Sequence, residues 1–160
     1  MTYSATEVSK RYLGIDFGDK NIGIAISDPT GTIATPLTTM VRANAATIKP
    51  YVAQLGELIK TNHIDALVLG LPKNMDNTQS ERVAITIDFK ARLERNFKRT
   101  PVILWDERLT SVGAERFFRE QNIKAKDQKK LIDGLAASII LQNYLDYLSN
   151  QQKEANHDGA

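Results

Sequence analysis

Three strand-like segments follow one another within the first 41 residues, and they constrain the fold more than any other feature of the chain. Tyr12–Asp16 is a short apolar run, and Ile22–Ser27 alternates large and small residues after a turn at Asp19–Asn21. The sequence Asp28-Pro29-Thr30-Gly31 suits a second turn, and Thr32–Val41 supplies a third strand. Short turns join antiparallel neighbours, so the sequence predicts a three-stranded antiparallel meander.

Two buried strands alternate with helices after the meander. Helical spacing of apolar residues follows Pro50, and the compact apolar run Ile64–Leu69 is typical of a parallel strand covered on both faces. A capping-box pattern at Thr78 and Glu81 begins a second helix, which leads to a second apolar strand at Val102–Trp105.

Two helices complete the chain, one from Thr110 to about Gln121 and one from about Gln128 to Leu148. The order βββαβαβαα predicts an α/β fold with a mixed five-stranded sheet, three antiparallel strands and then two parallel ones, flanked by helices. This is the order of the RNase H-like fold.

The length of 160 residues suits one domain, which we expect to span residues 11–148 between a flexible N-terminal tail (1–10) and a flexible C-terminal tail (149–160). No apolar run approaches the roughly 18 residues of a membrane span, and the first residues show no signal-peptide pattern. We therefore expect a cytoplasmic protein without a membrane partner.

Metal chemistry in this chain has to rest on oxygen ligands. Cysteine is absent, and the only histidines are His63 and His157, so thiolate sites are excluded and a histidine-rich zinc site is not expected. Carboxylate oxygens favour Mg²⁺ or Mn²⁺.

Acidic residues stand at the ends of two apolar strands. Asp16 closes the first strand, and flanking Gly14 and Gly18 would let a ligand come close. Asp106 and Glu107 close the last strand. Ligands gather at such strand ends. Because side chains alternate along a strand, only one of Asp106 and Glu107 can join Asp16, and the sequence leaves that choice open.

A third acid, Asp133, begins the apolar stripe of the last helix. The stripe continues through Ala136, Ala137, Ile140, Leu141, Tyr144 and Leu148 at helical spacing, which directs Asp133 toward the sheet. Read without a ligand, Asp133 is a first-turn aspartate favoured by the helix dipole. Three converging carboxylates repel one another unless cations lie among them, and a pair of Mg²⁺ or Mn²⁺ ions would relieve that repulsion and catalyse phosphodiester cleavage.

Four segments, YLGIDFGDKNIGIA, LVLGLPKNMDNTQSERV, WDERLTS and IDGLAASIILQNYL, resemble in order and spacing the signature blocks of the YqgF/RuvX family. That resemblance implies an RNase H-like nuclease that processes the 5′ end of pre-16S rRNA in ribosome biogenesis. It places catalytic and metal-binding roles on Asp16, Glu107 and Asp133, with Asp106 as the fallback on its strand.

Basic and amide side chains near these acids are candidates for binding substrate. Lys20, Arg82 and Arg108 would neutralise phosphates, and Lys73 and Asn74 lie on a loop at a strand end. The net charge of +2 and a pI near 8.8 permit nucleic-acid binding without predicting it.

The sequence also leaves other functions open. A Holliday junction resolvase acting on DNA is the nearest alternative, but resolvases are symmetric dimers and the sequence, showing no clear dimer surface, favours a monomer or weak dimer. A non-catalytic RNA-binding module is a second alternative, although all three acids are retained. Actin-like ATPases, which need two such halves, are excluded by length.

Overall fold

The computed structural model describes residues 9–72, 80–107 and 125–158, with the backbone alone at 80, 125–133 and 156–158. Within these ranges the chain forms five strands and three helices. The strands are β1 (Tyr12–Phe17), β2 (Asn21–Ser27), β3 (Ala34–Val41), β4 (Ala66–Leu71) and β5 (Val102–Asp106), and the helices are α1 (Lys49–Thr61), α2 (Ser80–Asn96) and α3 (Ala125–Asp158).

The described strands form one mixed sheet in the order β3-β2-β1-β4-β5. β1 and β2 pair antiparallel, with Ile15 opposite Ile24, and β3 pairs antiparallel with the other edge of β2. β4 runs parallel to both β1 and β5. The predicted RNase H-like sheet is therefore confirmed, whereas the helix expected between Thr110 and Gln121 lies outside the described residues.

The two faces of the sheet carry separate apolar cores. On one face, odd-numbered residues of β1 such as Leu13 and Ile15 pack with Leu55 of α1 and with Phe89 and Leu93 of α2. On the other face, Tyr12 of β1 and the neighbouring small residues of β2 and β4 pack against α3. Burial of one such large side chain contributes about 1.5–3 kcal/mol, and the three helices are thereby fixed to the sheet.

A missing side chain lets α3 approach the sheet closely. A Cβ atom placed on Gly14 would lie 2.7 Å from Cβ of Leu141 and 2.8 Å from the carbonyl oxygen of Ala137. Gly18, in the turn after β1, is filled in the same way by the carbonyl oxygen of Asn21, 2.7 Å from such a Cβ. The expectation that these glycines leave room for a ligand is therefore wrong: protein atoms already occupy that space.

The last helix is longer than expected at both ends. α3 begins at Ala125 and continues to Asp158, across most of the segment for which the sequence predicts a flexible tail. Residues 149–154 are exposed and polar, so no apolar stripe marks them. Extending an existing helix costs far less than starting one, which explains why the helix continues there. No helix among the described residues is long and apolar enough to cross a membrane.

Candidate active site

Strand alternation places Glu107, rather than Asp106, on the face that carries Asp16. Tyr12 and Asp16 share one face of β1, and Ile103 and Trp105 lie on that same face of the sheet, against α3. The Glu107 amide donates to the Leu71 carbonyl oxygen at 3.1 Å, which continues the β4–β5 pairing beyond the end of the strand. The Glu107 side chain therefore follows Trp105 onto the α3 face, and Asp106 faces the opposite way.

The carboxyl groups of Asp16 and Glu107 meet and share a hydrogen bond. Burial and the neighbouring Asp16 charge raise the pKa of Glu107 to about 9, and burial also raises the pKa of Asp16. At neutral pH Glu107 is thus protonated and donates its hydrogen bond to Asp16. Two buried acids in hydrogen-bond contact cannot both ionise unless a positive charge joins them.

Gly70 of β4 provides the space in which Glu107 lies. A Cβ atom at Gly70 would lie 2.4 Å from Oε1 of Glu107 and 2.6 Å from Cδ1 of Ile140, so any larger residue would displace one of them. Gly70 pairs with Trp105 in the sheet, one position before the end of β4. The glycine in the Gly70-Leu71-Pro72 segment therefore leaves the space through which the Glu107 side chain reaches Asp16 across β4.

Arg82 of α2 is the positive group next to the acid pair. Its Nη1 lies 2.9 Å from Oδ2 of Asp19, and its Nη2 donates to the carbonyl oxygen of Phe17 at 3.1 Å. The guanidinium charge acts to lower the pKa of both Asp16 and Glu107, although burial outweighs it. Arg82 thereby fixes the turn that follows Asp16, and its guanidinium places a positive charge at the edge of the site.

The remaining predicted site residues divide into two groups. Lys20 is exposed on the β1–β2 turn, four residues after Asp16. The backbone of Asp133 belongs to α3, one helical turn before Ala137, which contacts β1 at Gly14. The side chain of Asp133, and all of Lys73, Asn74 and Arg108, lie outside the described residues.

Arg42, which the sequence gives no reason to single out, is the buried support of this region. Its guanidinium donates to the carbonyl oxygens of Gly18 and Ala45, both at 2.7 Å, and lies 4.7 Å from the ring centroid of Phe17. A charged residue directly after a strand usually lies in solvent. Here it connects the turn after Asp16 to the loop before α1.

The acid pair has the chemistry of a divalent cation site. Among the residues whose side chains are described, no group of three or more acidic or histidine side chains is assembled. The Asp16–Glu107 pair nevertheless offers the oxygen donors that Mg²⁺ and Mn²⁺ take. A bound cation would relieve the repulsion between the two carboxyl groups, as the proton in their hydrogen bond does, so the two residues fit such an ion.

Comparison with known proteins reveals strong relatives along nearly the whole chain. The sequence model of RuvX, described as Holliday junction resolvase, matches residues 10–147. A protein of Agathobacter rectalis named "Putative pre-16S rRNA nuclease" is 42% identical over 142 residues, covering 89% of this chain and 99% of its own. A protein of the same name from Caldanaerobacter subterraneus subsp. tengcongensis is 44% identical, with 88% and 99% covered.

Among solved structures, the chain is similar to Thermus thermophilus RuvC in complex with a Holliday junction substrate. The TM-score is 0.52 at 13% sequence identity, with 88% of this chain and 96% of that chain covered. At this identity the match supports the RNase H-like fold, and the family assignment rests on the sequence relatives.

Proposed function

The chain belongs to the RuvX family, whose relatives support a nuclease role, and from that membership we propose that it cleaves phosphodiester bonds in structured RNA with divalent metal ions. The proposed task is processing of the 5′ end of pre-16S rRNA during ribosome biogenesis in the cytoplasm. The names of the relatives at 42% and 44% identity support this substrate.

One observation carries the proposal: the hydrogen-bonded pair of Asp16 and Glu107 at the ends of two parallel-sheet strands. Burying two acids together is unfavourable for folding, as the pKa of about 9 for Glu107 indicates. A structural role would be served better by an amide or an apolar residue at either position. Perturbed acids in such a place are characteristic of catalytic sites.

We propose that Asp16, Glu107 and Asp133 hold one or two Mg²⁺ or Mn²⁺ ions. When bound, these ions would activate water and stabilise the charge on the leaving oxygen. The protein's own contribution is to fix the acids, through Gly70 and the β4–β5 pairing, and to place Arg82 beside them. Lys20, Arg82, Arg108, Lys73 and Asn74 are the proposed contacts to the substrate backbone.

The test is cleavage of matched single-stranded, duplex and four-way-junction substrates, each made as RNA and as DNA, with Mg²⁺, Mn²⁺ or chelator. We expect cleavage of structured RNA that requires the metal, and no cleavage by the Asp16→Asn variant. Full activity in chelator would refute the metal-dependent mechanism. RNA left intact while DNA is cut would refute the RNA assignment.

A DNA junction resolvase is the second candidate, because the matching family description reads Holliday junction resolvase. A resolvase cuts two strands across a two-fold axis and therefore acts as a dimer. We propose instead a monomer or weak dimer. Sedimentation at the concentration used for cleavage, combined with the four-way-junction substrates, separates the two candidates.

A further inference from the structure

A second surface, on the other side of the sheet from the acid pair, carries basic residues that the proposed cleavage chemistry does not use. It is a cleft of about 280 Å³ between α2 and the loop that precedes α1. Phe17 and Phe89 are stacked at its base, 3.9 Å between ring centroids, and Arg42 lies over Phe17. We call this surface the arginine cleft; its charged residues are Asp19, Arg42, Asp88, Arg92 and Arg95.

The arginine cleft begins where the active site ends. Asp19 lines the cleft and also pairs with Arg82, which contacts the acid-bearing segment through the Phe17 carbonyl oxygen. From Arg82 the same side of α2 continues through Ile85 and Asp88 to Arg92 and Arg95, at spacings of three and four residues. At 1.5 Å rise per residue, Arg92 and Arg95 lie roughly 15 and 20 Å from Arg82 along the helix axis. The cleft thus adjoins the turn that follows Asp16, to which Asp19 and Arg82 connect it.

The charges of the cleft favour a polyanion. Of its two acids, Asp19 pairs with Arg82 at 2.9 Å, so the three arginines of the cleft exceed its one remaining carboxylate, Asp88, which forms no ion pair among the described residues. Arg42 is almost fully buried, with an exposed fraction of 6%, and its Nε has no hydrogen-bond partner in the part of the chain that the structure describes. An anion near this guanidinium would offset the cost of burying a charge.

The small volume of the cleft suits a segment of a polymeric ligand. Sites for whole small molecules usually enclose about 300–1,000 Å³, and this cleft, at about 280 Å³, lies at the lower limit of that range. Proteins that bind single-stranded nucleic acid without sequence preference do so in positively charged grooves that follow the backbone.

From these observations, and resting on the proposed nucleic-acid substrate, we propose that the arginine cleft binds the phosphodiester backbone of the substrate strand several nucleotides away from the cleaved bond. Arg92 and Arg95 contact phosphates there, and Arg42 supplies the buried charge beneath them. The cleft thus sets which length of flanking strand the enzyme needs.

The experiment measures binding of a fluorescein-labelled single-stranded RNA of about 15 nucleotides in chelator, where no cleavage occurs, at several salt concentrations. Two phosphate contacts account for a slope of about 1.4 in the logarithm of affinity against the logarithm of salt concentration. We expect the double variant Arg92→Gln, Arg95→Gln to lose about that much slope and about ten-fold in affinity. Arg92→Lys with Arg95→Lys should retain most of both.

The matched control is Lys98→Gln with Arg99→Gln, which removes the same charge from exposed residues just after α2 and outside the cleft. Asp88→Asn gives the opposite sign: removal of the uncompensated carboxylate should tighten RNA binding severalfold. If the Arg92/Arg95 variant behaves like the Lys98/Arg99 control, or if Asp88→Asn does not tighten binding, the inference is overturned.

The wild-type protein distinguishes this inference from the proposed function. RNA binding that depends on the cleft, without cleavage in Mg²⁺ or Mn²⁺, would leave the inference standing and refute the nuclease. Cleavage with cleft variants that bind like the control would do the reverse. Absence of both binding and cleavage would refute both.

Discussion

Glu107 donates a hydrogen bond to Asp16, and with this bond two carboxyl groups from strands at the centre and edge of the sheet share one proton. Between them lies β4, where Gly70 leaves the space that Glu107 occupies. The site is therefore built at the ends of three adjacent strands: β1 and β5 lead to the two acids, and β4 has a glycine between them.

The two neighbouring acids at the end of β5, Asp106 and Glu107, should differ strongly in their effect on cleavage. Glu107 faces Asp16, whereas Asp106 faces the opposite side of the sheet. We expect Glu107→Gln to lower kcat by several powers of ten, because the pair loses a negative charge that the proposed ions need, and Asp106→Asn to lower it by less than ten-fold. Single-turnover cleavage measures both, and a larger effect of Asp106→Asn would contradict the assignment.

The shared proton should make the metal-free protein less stable as the pH rises. Unfolded Glu107 ionises near pH 4.5, while in the folded protein its pKa is about 9. Between these values the folded state binds more protons than the unfolded state, so the free energy of unfolding falls as pH increases through this window. After allowance for solvent screening, the loss should be on the order of 1–3 kcal/mol.

Denaturant melts in chelator from pH 5 to pH 9 test this dependence. Glu107→Gln should remove most of the slope and should be more stable than wild type at pH 9, because an amide never ionises. A wild-type stability that rises with pH across this window would show that the two acids do not share a proton.

The two glycines that face α3 should separate activity from stability. At Gly70, an added methyl group meets Glu107 Oε1 at 2.4 Å and Ile140 Cδ1 at 2.6 Å, both ends of side chains that can move. We expect Gly70→Ala to cost about 1–3 kcal/mol and to abolish most cleavage. At Gly14, the obstacle at 2.8 Å is the Ala137 carbonyl oxygen, which belongs to the helix backbone, so Gly14→Ala should destabilise the protein more.

Gly56, in the interior of α1, is the matched control for these substitutions. An added methyl group there would lie 3.1 Å from Cε1 of the Phe97 ring, a tight contact that a small ring shift relieves. Alanine favours the helix by about 1 kcal/mol over glycine. Gly56→Ala should therefore leave cleavage unchanged and stability within about 1 kcal/mol, as thermal melts and the cleavage assay would show.

Metal binding should stabilise the folded protein through the same two acids. A ligand that binds only the folded state raises the free energy of unfolding, by about 2.7 kcal/mol at one hundred times its Kd. Addition of Mn²⁺ should therefore raise Tm, and Asp16→Asn should abolish most of the increase. An equal increase in Asp16→Asn would locate the stabilising ion elsewhere.

The sequence predicts the sheet well, because strand and helix patterns alternate in an order that few folds share. It does not choose between Asp106 and Glu107. The residues of β5 before them, Val102 to Trp105, are all apolar, as in a strand covered on both faces, so no alternation reveals which way each side chain points. The structure supplies this choice through the register with β4, which is a tertiary property.

The sequence also gives a wrong indication of the surroundings of the acids. Gly14 suggests room for a ligand, yet α3 fills that room, since a glycine opposite a helix and one opposite a substrate look alike in a sequence. Arg42 looks like a solvated charge after a strand, although three loop carbonyl oxygens accept hydrogen bonds from its buried guanidinium. Ala45 and Thr47 follow Arg42 by only three and five residues, but no sequence pattern marks their carbonyl oxygens as acceptors, and Gly18 is brought to Arg42 only by folding.

The last prediction concerns Asp133, whose substitution should change stability in opposite directions under its two interpretations. A first-turn aspartate stabilises its helix through the dipole by about 0.3–1 kcal/mol, so Asn there would cost stability and spare activity. However, α3 begins at Ala125, two turns before Asp133, and the dipole effect is confined to the first turn. As a third acid of the site, Asp133 would instead add repulsion in the metal-free protein.

Asp133→Asn should therefore leave stability in chelator unchanged or raise it by about 1 kcal/mol while lowering cleavage by several powers of ten. Asp146→Asn, an exposed position on the same helix, serves as the control and should leave cleavage intact. Denaturant melts of both variants beside the cleavage assay decide the matter: a less stable but fully active Asp133→Asn protein would remove Asp133 from the site.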